Sequence, residues 1–267
     1  MSQSCNRAAQ PGKRHIGAIG VLLAVALSSP QALPAESGPT ILSLGDDSYI
    51  TWSDVESRTG GTVRRELGDA PLAAFAVVIL SNIRYDAIPE AMRNELADYL
   101  AGGGTLLVSG GKQAYGSGGY AGTPFATLLP LMPTRDDWLT HPFGPTLIFR
   151  PDHPILKDVI IPTMAFFNEL DLNSGAQEIA QYRKASKAAF VGGGDPGGRV
   201  IEGGGRRPMP LIAEQSVGSG TVLAIALDMT LTGDWKDRDR FAQNCVAYLL
   251  QRSTIQSAPL PQEPVTR

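Results

Sequence analysis

Cysteine and histidine are both scarce in this chain. The only cysteines among its 267 residues are Cys5 and Cys245, and there are three histidines. A zinc centre needs several converging imidazoles, thiolates or carboxylates, and two separated histidines, His141 and His153, do not supply one, so no metal is expected. Excess positive charge is also missing: 23 basic side chains face 26 acidic ones. That balance gives no electrostatic reason to bind nucleic acid. The longest apolar run, Ile16 to Leu27, falls short of the ~20 residues that span a bilayer.

That short run has the layout of a leader. Arg7, Lys13 and Arg14 precede it, and small residues, Pro30 and Ala32-Leu-Pro-Ala35 follow. The pattern predicts a secretory signal peptide over residues 1–35, cut between Ala26 and Ala35, with no cysteine placed for a lipid anchor. The protein is then periplasmic or secreted, and it touches the membrane only if the segment stays uncleaved. Losing the segment removes Cys5 and three basic side chains, leaving 20 against 26, a net charge of −6. No intrachain disulfide is possible in the remainder, so an exported protein must rest on its apolar core. A domain is expected over residues 36–252, with a Pro-containing disordered tail over 253–267.

The chain is organised around Gly102 to Tyr120. Thr105 to Val108 is an unbroken apolar and β-branched run, suited to a central parallel strand. Ser109-Gly110-Gly111-Lys112 follows at its carboxyl end, where open α/β sheets bind ligands. These glycines either make a tight turn or present backbone N–H groups to a ligand. Lys112 is followed by Gln113, so the phosphate-binding pattern Gly-x-x-x-x-Gly-Lys-Ser/Thr is absent, and no dinucleotide fingerprint directly follows a strand. No cofactor is expected.

Further strands are read at Thr40–Leu44, Thr62–Leu67 (an edge, given Arg64-Arg65-Glu66), Phe75–Leu80, Glu178–Tyr182, Met209–Ser216 and Thr221–Leu227. Shorter strands are read from Thr146 and over 185–191. Helices are read over 50–58, Ile88–Leu100 and 238–251, the second with Ile88, Met92, Leu96, Tyr99 and Leu100 on one face. Thr123 to Pro133 reads as a short helix or turn, and the glycine-rich stretch 192–208 as a flap. The fold class is α/β: a three-layer sandwich with a mostly parallel central sheet and a C-terminal β-hairpin.

Five segments carry a family likeness: Tyr85-Asp-Ala-Ile-Pro, Leu96-Ala-Asp-Tyr-Leu-Ala-Gly-Gly-Gly, Leu106-Leu-Val-Ser-Gly-Gly, Tyr115-Gly-Ser-Gly-Gly-Tyr-Ala-Gly-Thr-Pro and Val217-Gly-Ser-Gly-Thr-Val-Leu-Ala. With the element order, they resemble the class I glutamine amidotransferase-like family, a flavodoxin-like sandwich, and in particular its exported, non-classical branch. The likeness covers most of residues 40–250 and is weakest over 134–205. In catalytic members a cysteine at the elbow, activated by a histidine that a glutamate orients, attacks the glutamine amide. Here Gly110 or Gly111 stands in that place, and Cys245 lies on the apolar side of a helix. Glutaminase activity is therefore not expected.

The resemblance implies a non-catalytic domain that binds a small ligand or a cell-envelope protein through the strand-end loops. The candidate residues are Asp46, Asn82, Ser109, Gly110, Gly111, Lys112, Tyr115 and Asp228. Tyr115 and Tyr120 are expected to be exposed and able to stack on a partner. Trp235 either joins them or pins a loop to the core. Asp46, Asp47 and Asp228 either hold a hard cation or cap the turns that follow them. The alternative is a periplasmic hydrolase with Ser109 as nucleophile, His153 as base and Asp152 or Glu169 as the orienting acid. The competing reading of His153 is a turn residue whose ring hydrogen-bonds to backbone.

Overall fold

Apolar runs without alternation mark strands covered on both faces, and three such runs form the middle of one sheet. The computed structural model describes residues 38–134, 138–139, 146–162, 166–182 and 209–255, all within the unit Ser37–Arg267. The elements follow in order: β1 (Thr40–Gly45), α1 (Trp52–Thr59), β2 (Thr62–Arg64), β3 (Val77–Ser81), α2 (Glu90–Ala101), β4 (Thr105–Gly110), β5 (Leu131–Met132), β6 (Trp138–Leu139), β7 (Thr146–Ile148), β8 (Phe167–Asn168), β9 (Asp171–Leu172), β10 (Gln177–Tyr182), β11 (Met209–Val217), β12 (Gly220–Asp228) and α3 (Arg238–Arg252). The leader, His141, the strand read over 185–191, the flap over 192–208 and most of the tail lie outside the described residues.

The sheet runs β2-β1-β3-β4-β12-β11-β10-β7. The first five strands are parallel to their neighbours, and β11, β10 and β7 continue the sheet antiparallel. This is an α/β sandwich with a mostly parallel central sheet, closed by the β11–β12 hairpin. Every residue of β3, β4 and β12 is buried, which explains their unbroken apolar sequences. β2 is the edge its charges predict, but it stops at Arg64 because Arg65 leaves the strand to pair with Asp47. β3 begins at Val77 rather than Phe75, since Leu72–Ala74 form a 3-10 turn.

Helix α2 buries Met92, Leu96, Tyr99 and Leu100, the face that the helical spacing predicts. Its last turn is tied to β4 through Tyr99, whose hydroxyl donates to Thr105 O (3.0 Å) and accepts from Thr105 N (3.1 Å). Helix α3 buries Phe241, Ala242, Cys245, Val246, Tyr248 and Leu249. The chain does not fray directly after Arg252, as a disordered tail beginning at 253 would. Ser253 N donates to Leu249 O (2.9 Å) and Thr254 N to Gly103 O (3.0 Å), fastening the end of α3 to the turn between α2 and β4.

Candidate functional site

The parallel strands end side by side at the carboxyl edge, so Asp46, Ser81, Ser109 and Asp228 close on one region. Its floor is a line of buried hydroxyls. Tyr49 donates to Ser109 Oγ (3.3 Å), the Ser109 and Ser81 hydroxyls are 2.9 Å apart, and Ser81 donates to the Asp46 carbonyl (2.5 Å). The Ser81 hydroxyl also lies 3.2 Å from the Tyr49 hydroxyl, so the three groups form one closed network. Burial pushes the Tyr49 phenol up to about 12, so it stays a neutral donor to Ser109. Asp47, 5 % exposed, is enclosed by Ser43 (2.5 Å), Trp52 Nε1 (3.0 Å) and Arg65.

The loop after β4 closes on itself. Asn168, at the end of β8, accepts from Gly111 N (2.8 Å) and donates to Gly111 O (3.2 Å). Asn82 has a left-handed backbone (φ 43°), and its Oδ1 accepts from Gln113 N (2.8 Å). Of the loop N–H groups expected to face a ligand, that of Gly111 is thus already satisfied internally, as is that of Gln113 just beyond them. A side chain at either elbow glycine meets solid structure. A Cβ at Gly110 would lie 2.2 Å from Ala226 O, and one at Gly111 2.1 Å from Asn82 Oδ1, with φ there at +147°. Both positions hold glycine because neighbouring polar groups pack directly against the backbone.

Two expectations about this loop are corrected. Tyr115 and Tyr120 are fully buried and cannot stack on a partner. The Tyr115 hydroxyl donates towards the carbonyls of Val108 and Ile225 (3.2 Å each), and Tyr120 donates to Ile83 O (2.7 Å). Tyr120 also packs edge-on against Phe125, with centroids 5.1 Å apart. In this glycine-rich loop the aromatic residues fold inward, because the turns that glycine permits bring them back over β4. Trp235 pins a loop: it is 6 % exposed and donates to Ile160 O (2.7 Å).

The remaining candidates divide by exposure. Asp46 and Lys112 are exposed and Asn82 half-buried, whereas Ser109, Gly110, Gly111 and Asp228 are buried. Asp228 caps the next turn, accepting from Thr230 N (3.0 Å) and Oγ1 (2.5 Å). Burial raises its carboxyl above the ordinary value and the Asp46 charge adds to this, while the Thr230 bonds oppose it. No group of three or more metal-ligating side chains occurs among the described residues.

The hydrolase constellation does not assemble around Ser109. His153 is 4 % exposed, and its Nδ1 accepts from Ile155 N (3.4 Å), the turn contact. Its Nε2 lies 3.4 Å from Glu214 Oε1 and its ring packs edge-on against Tyr248, with centroids 4.8 Å apart. Arg150 also pairs with Glu214 Oε1, and the Tyr248 hydroxyl donates to Oε2 (2.5 Å). Burial alone would raise the Glu214 pKa, but the nearby His153 ring and the bonds from Tyr248 and Arg150 outweigh it and bring the value to about 2. Glu169 is half-buried beside Asn168 and is not part of that cluster. A signal for the cluster is present in the sequence: Glu214 follows directly on the apolar run Met209–Ala213 of β11, and a buried carboxylate needs partners. The residues that supply them lie far away in the chain.

No protein-family profile and no curated protein sequence matches the chain. Similar folds occur among solved structures. The cytoplasmic proteins STM3548 and STM1381 of Salmonella typhimurium superpose with TM-scores of 0.58 and 0.57 at 15% and 17% identity. Each comparison covers 79% of this chain, and 98% and 99% of those chains. A protein described as ThuA-like from Bacteroides uniformis gives 0.52 at 11% identity, over 84% of this chain and 96% of that one. At such identities the likeness establishes the fold alone. That fold is a flavodoxin-like α/β sandwich.

Proposed function

We propose that the protein is an exported, non-catalytic domain of glutamine amidotransferase-like fold. It binds a small ligand or a cell-envelope protein at the carboxyl edge of its sheet, through the exposed Asp46 and Lys112 and the half-buried Asn82 beside them. The observation that carries the non-catalytic part is the closed elbow. With Ala226 O and Asn82 Oδ1 little more than 2 Å from where a Cβ would sit (2.2 and 2.1 Å), a nucleophile fits at neither Gly110 nor Gly111. Ser109, the nearest hydroxyl, is buried and bonded to Tyr49 and Ser81, with no base against it among the described residues. Activation of a hydroxyl nucleophile needs such a base.

Ammonia release from glutamine and turnover of simple ester and amide substrates test this. The expected outcome is no rate above the blank, in wild type and Ser109→Ala alike. Turnover that disappears in Ser109→Ala establishes the hydrolase instead. The binding part is tested by thermal-shift screening of a metabolite library on wild type, Asp46→Ala and Lys112→Ala, where true ligands raise the wild-type melting temperature and lose that effect in both variants. Export is supported by the basic, apolar, small-residue order of residues 1–35. Intact mass of the protein isolated from its own host should place the first residue between Ala26 and about Glu36, and a full-length, membrane-retained chain would refute it.

A further inference from the structure

A second end of the sheet has charged groups that its own neighbours do not satisfy. At the amino end of β12, a cavity of about 420 Å³ opens among Arg150, His153, Gln177, Ser216, Tyr248 and Arg252. That volume lies in the range of small-molecule sites. It is separated from the strand-end loops by the length of β12, roughly 20 Å at about 3.3 Å per residue. One ligand of that size does not span both.

The charges in the cavity do not balance. Among the described residues Glu214 is the only acidic one lining it, and both of its oxygens are engaged: Oε1 by Arg150 and Oε2 by the Tyr248 hydroxyl at 2.5 Å. This carboxylate offsets one guanidinium. Arg252 is the other, exposed and lying over the Tyr248 ring at 5.8 Å, with no carboxylate partner among the described residues. Beneath them is a buried N–H without an acceptor. Because His153 Nδ1 accepts from Ile155 N, a neutral ring carries its proton on Nε2. That atom is inaccessible to solvent and makes no hydrogen bond. The 3.4 Å approach to Glu214 Oε1 brings charge close without the alignment of a bond. Gln177 and Ser216, both exposed on the rim, add neutral hydrogen-bonding groups.

The geometry points to a binding site for a small oxyanion-bearing molecule, a carboxylate or a phosphate ester, with the Arg252 fork as its principal anchor and Arg150 and the His153 ring in the floor, Nε2 lying just beneath it. Guanidinium favours this chemistry because its planar N–H pairs match two oxygens of one anionic group. Stacking over Tyr248 orients the Arg252 fork before the ligand arrives, which reduces the ordering cost of binding. The inference does not rest on the reading of the carboxyl edge, and either can fail alone.

The test is titration of the full mature chain with inorganic phosphate and, separately, with acetate at constant ionic strength, followed by the Arg Nε–Hε and His ring signals in NMR spectra. Saturable shifts of the Arg252 and His153 signals are expected with at least one anion; saturation by phosphate alone identifies a phosphate ester, and by acetate alone a carboxylate. Arg252→Gln should weaken that affinity at least tenfold, and Arg252→Lys, which keeps the charge but loses the fork, by a smaller factor. Lys236→Ala, an exposed cation outside this cavity, should leave it unchanged. Arg252 is exposed on the last turn of α3, so both of its variants should fold, which unchanged backbone spectra verify. Linear shifts without saturation, or equal affinity in wild type and Arg252→Gln, would overturn the site.

Discussion

The two ends of the sheet handle buried polar groups in opposite ways. At the carboxyl end of β4 the polar groups satisfy one another: hydroxyl to hydroxyl from Tyr49 to Ser81, and side-chain amide to backbone at Asn168 and Asn82. At the amino end of β12 one carboxylate is satisfied by several cationic and hydroxyl groups, and Arg252 is left over. The first end is where this fold class ordinarily places its chemistry, yet its loop behaves as core. The second is built from residues distant in sequence and retains unsatisfied donors. A position at a strand end identifies a site only when the groups there are left available to a ligand.

The largest effect that can test this contrast is expected at the elbow. Gly110→Ala places a methyl against the Ala226 carbonyl, where β4 and β12 are paired and cannot separate easily. Destabilisation of more than about 3 kcal/mol is expected, by chemical denaturation. A near-neutral outcome would mean that the elbow has room and that glycine is there for another reason.

Glu214 and Asp228, two of the buried carboxylates, should titrate with opposite signs. Glu214 has its pKa lowered from 4.5 to about 2, so its stabilisation is complete above pH 4.5 and is lost as pH falls towards 2. The shift corresponds to about 3 kcal/mol. Glu214→Gln should flatten stability across that window. Asp228 is raised above 3.8, so its favourable contribution is present below pH 3.8 and is lost as pH rises through the folded value; Asp228→Asn should remove a slope of the other sign. If denaturation at a series of pH values gives both variants the same direction of change, the contrast between the two ends is wrong.

Smaller effects follow. Asn168→Ala leaves the Gly111 N–H without its partner in a buried place, while the Gly111 carbonyl keeps its bond from Ala114 N, and should cost about 2 kcal/mol, measured by the same denaturation. Hydrogen exchange at Gly111 should accelerate with it. Lys112→Ala, on an exposed side chain with no hydrogen bond or ion pair among the described residues, should change stability by less than about 0.5 kcal/mol. A larger loss would place Lys112 in the structural network rather than free to bind.

Much of the fold was legible because it rests on local signals. Unbroken apolar strings such as Val77–Leu80 and Val222–Leu227, and the 3.6-residue spacing of Met92, Leu96 and Leu100, specify burial without knowledge of partners. The inward turn of Tyr115 and Tyr120 was not legible. Glycine-rich sequence signals a loop equally whether its aromatics face solvent or core, and only the carbonyls of Val108 and Ile225 that receive the Tyr115 hydroxyl decide between them. The Arg150, Glu214 and Tyr248 cluster was hidden for another reason. Its members come from a turn, a strand and a helix, and no spacing rule joins them.

The position of β12 has a consequence for how the chain reaches this structure. β12 sits beside β4, with Thr221 paired to Thr105, so the inner strand of the first half waits for a partner made much later in synthesis. Until then Leu106, Leu107 and Val108 present an unpaired apolar edge of the kind that joins other chains. Contacts this distant in sequence slow folding. The hairpin β11–β12 is then the step that completes the sheet around β4 and commits the chain to the native state.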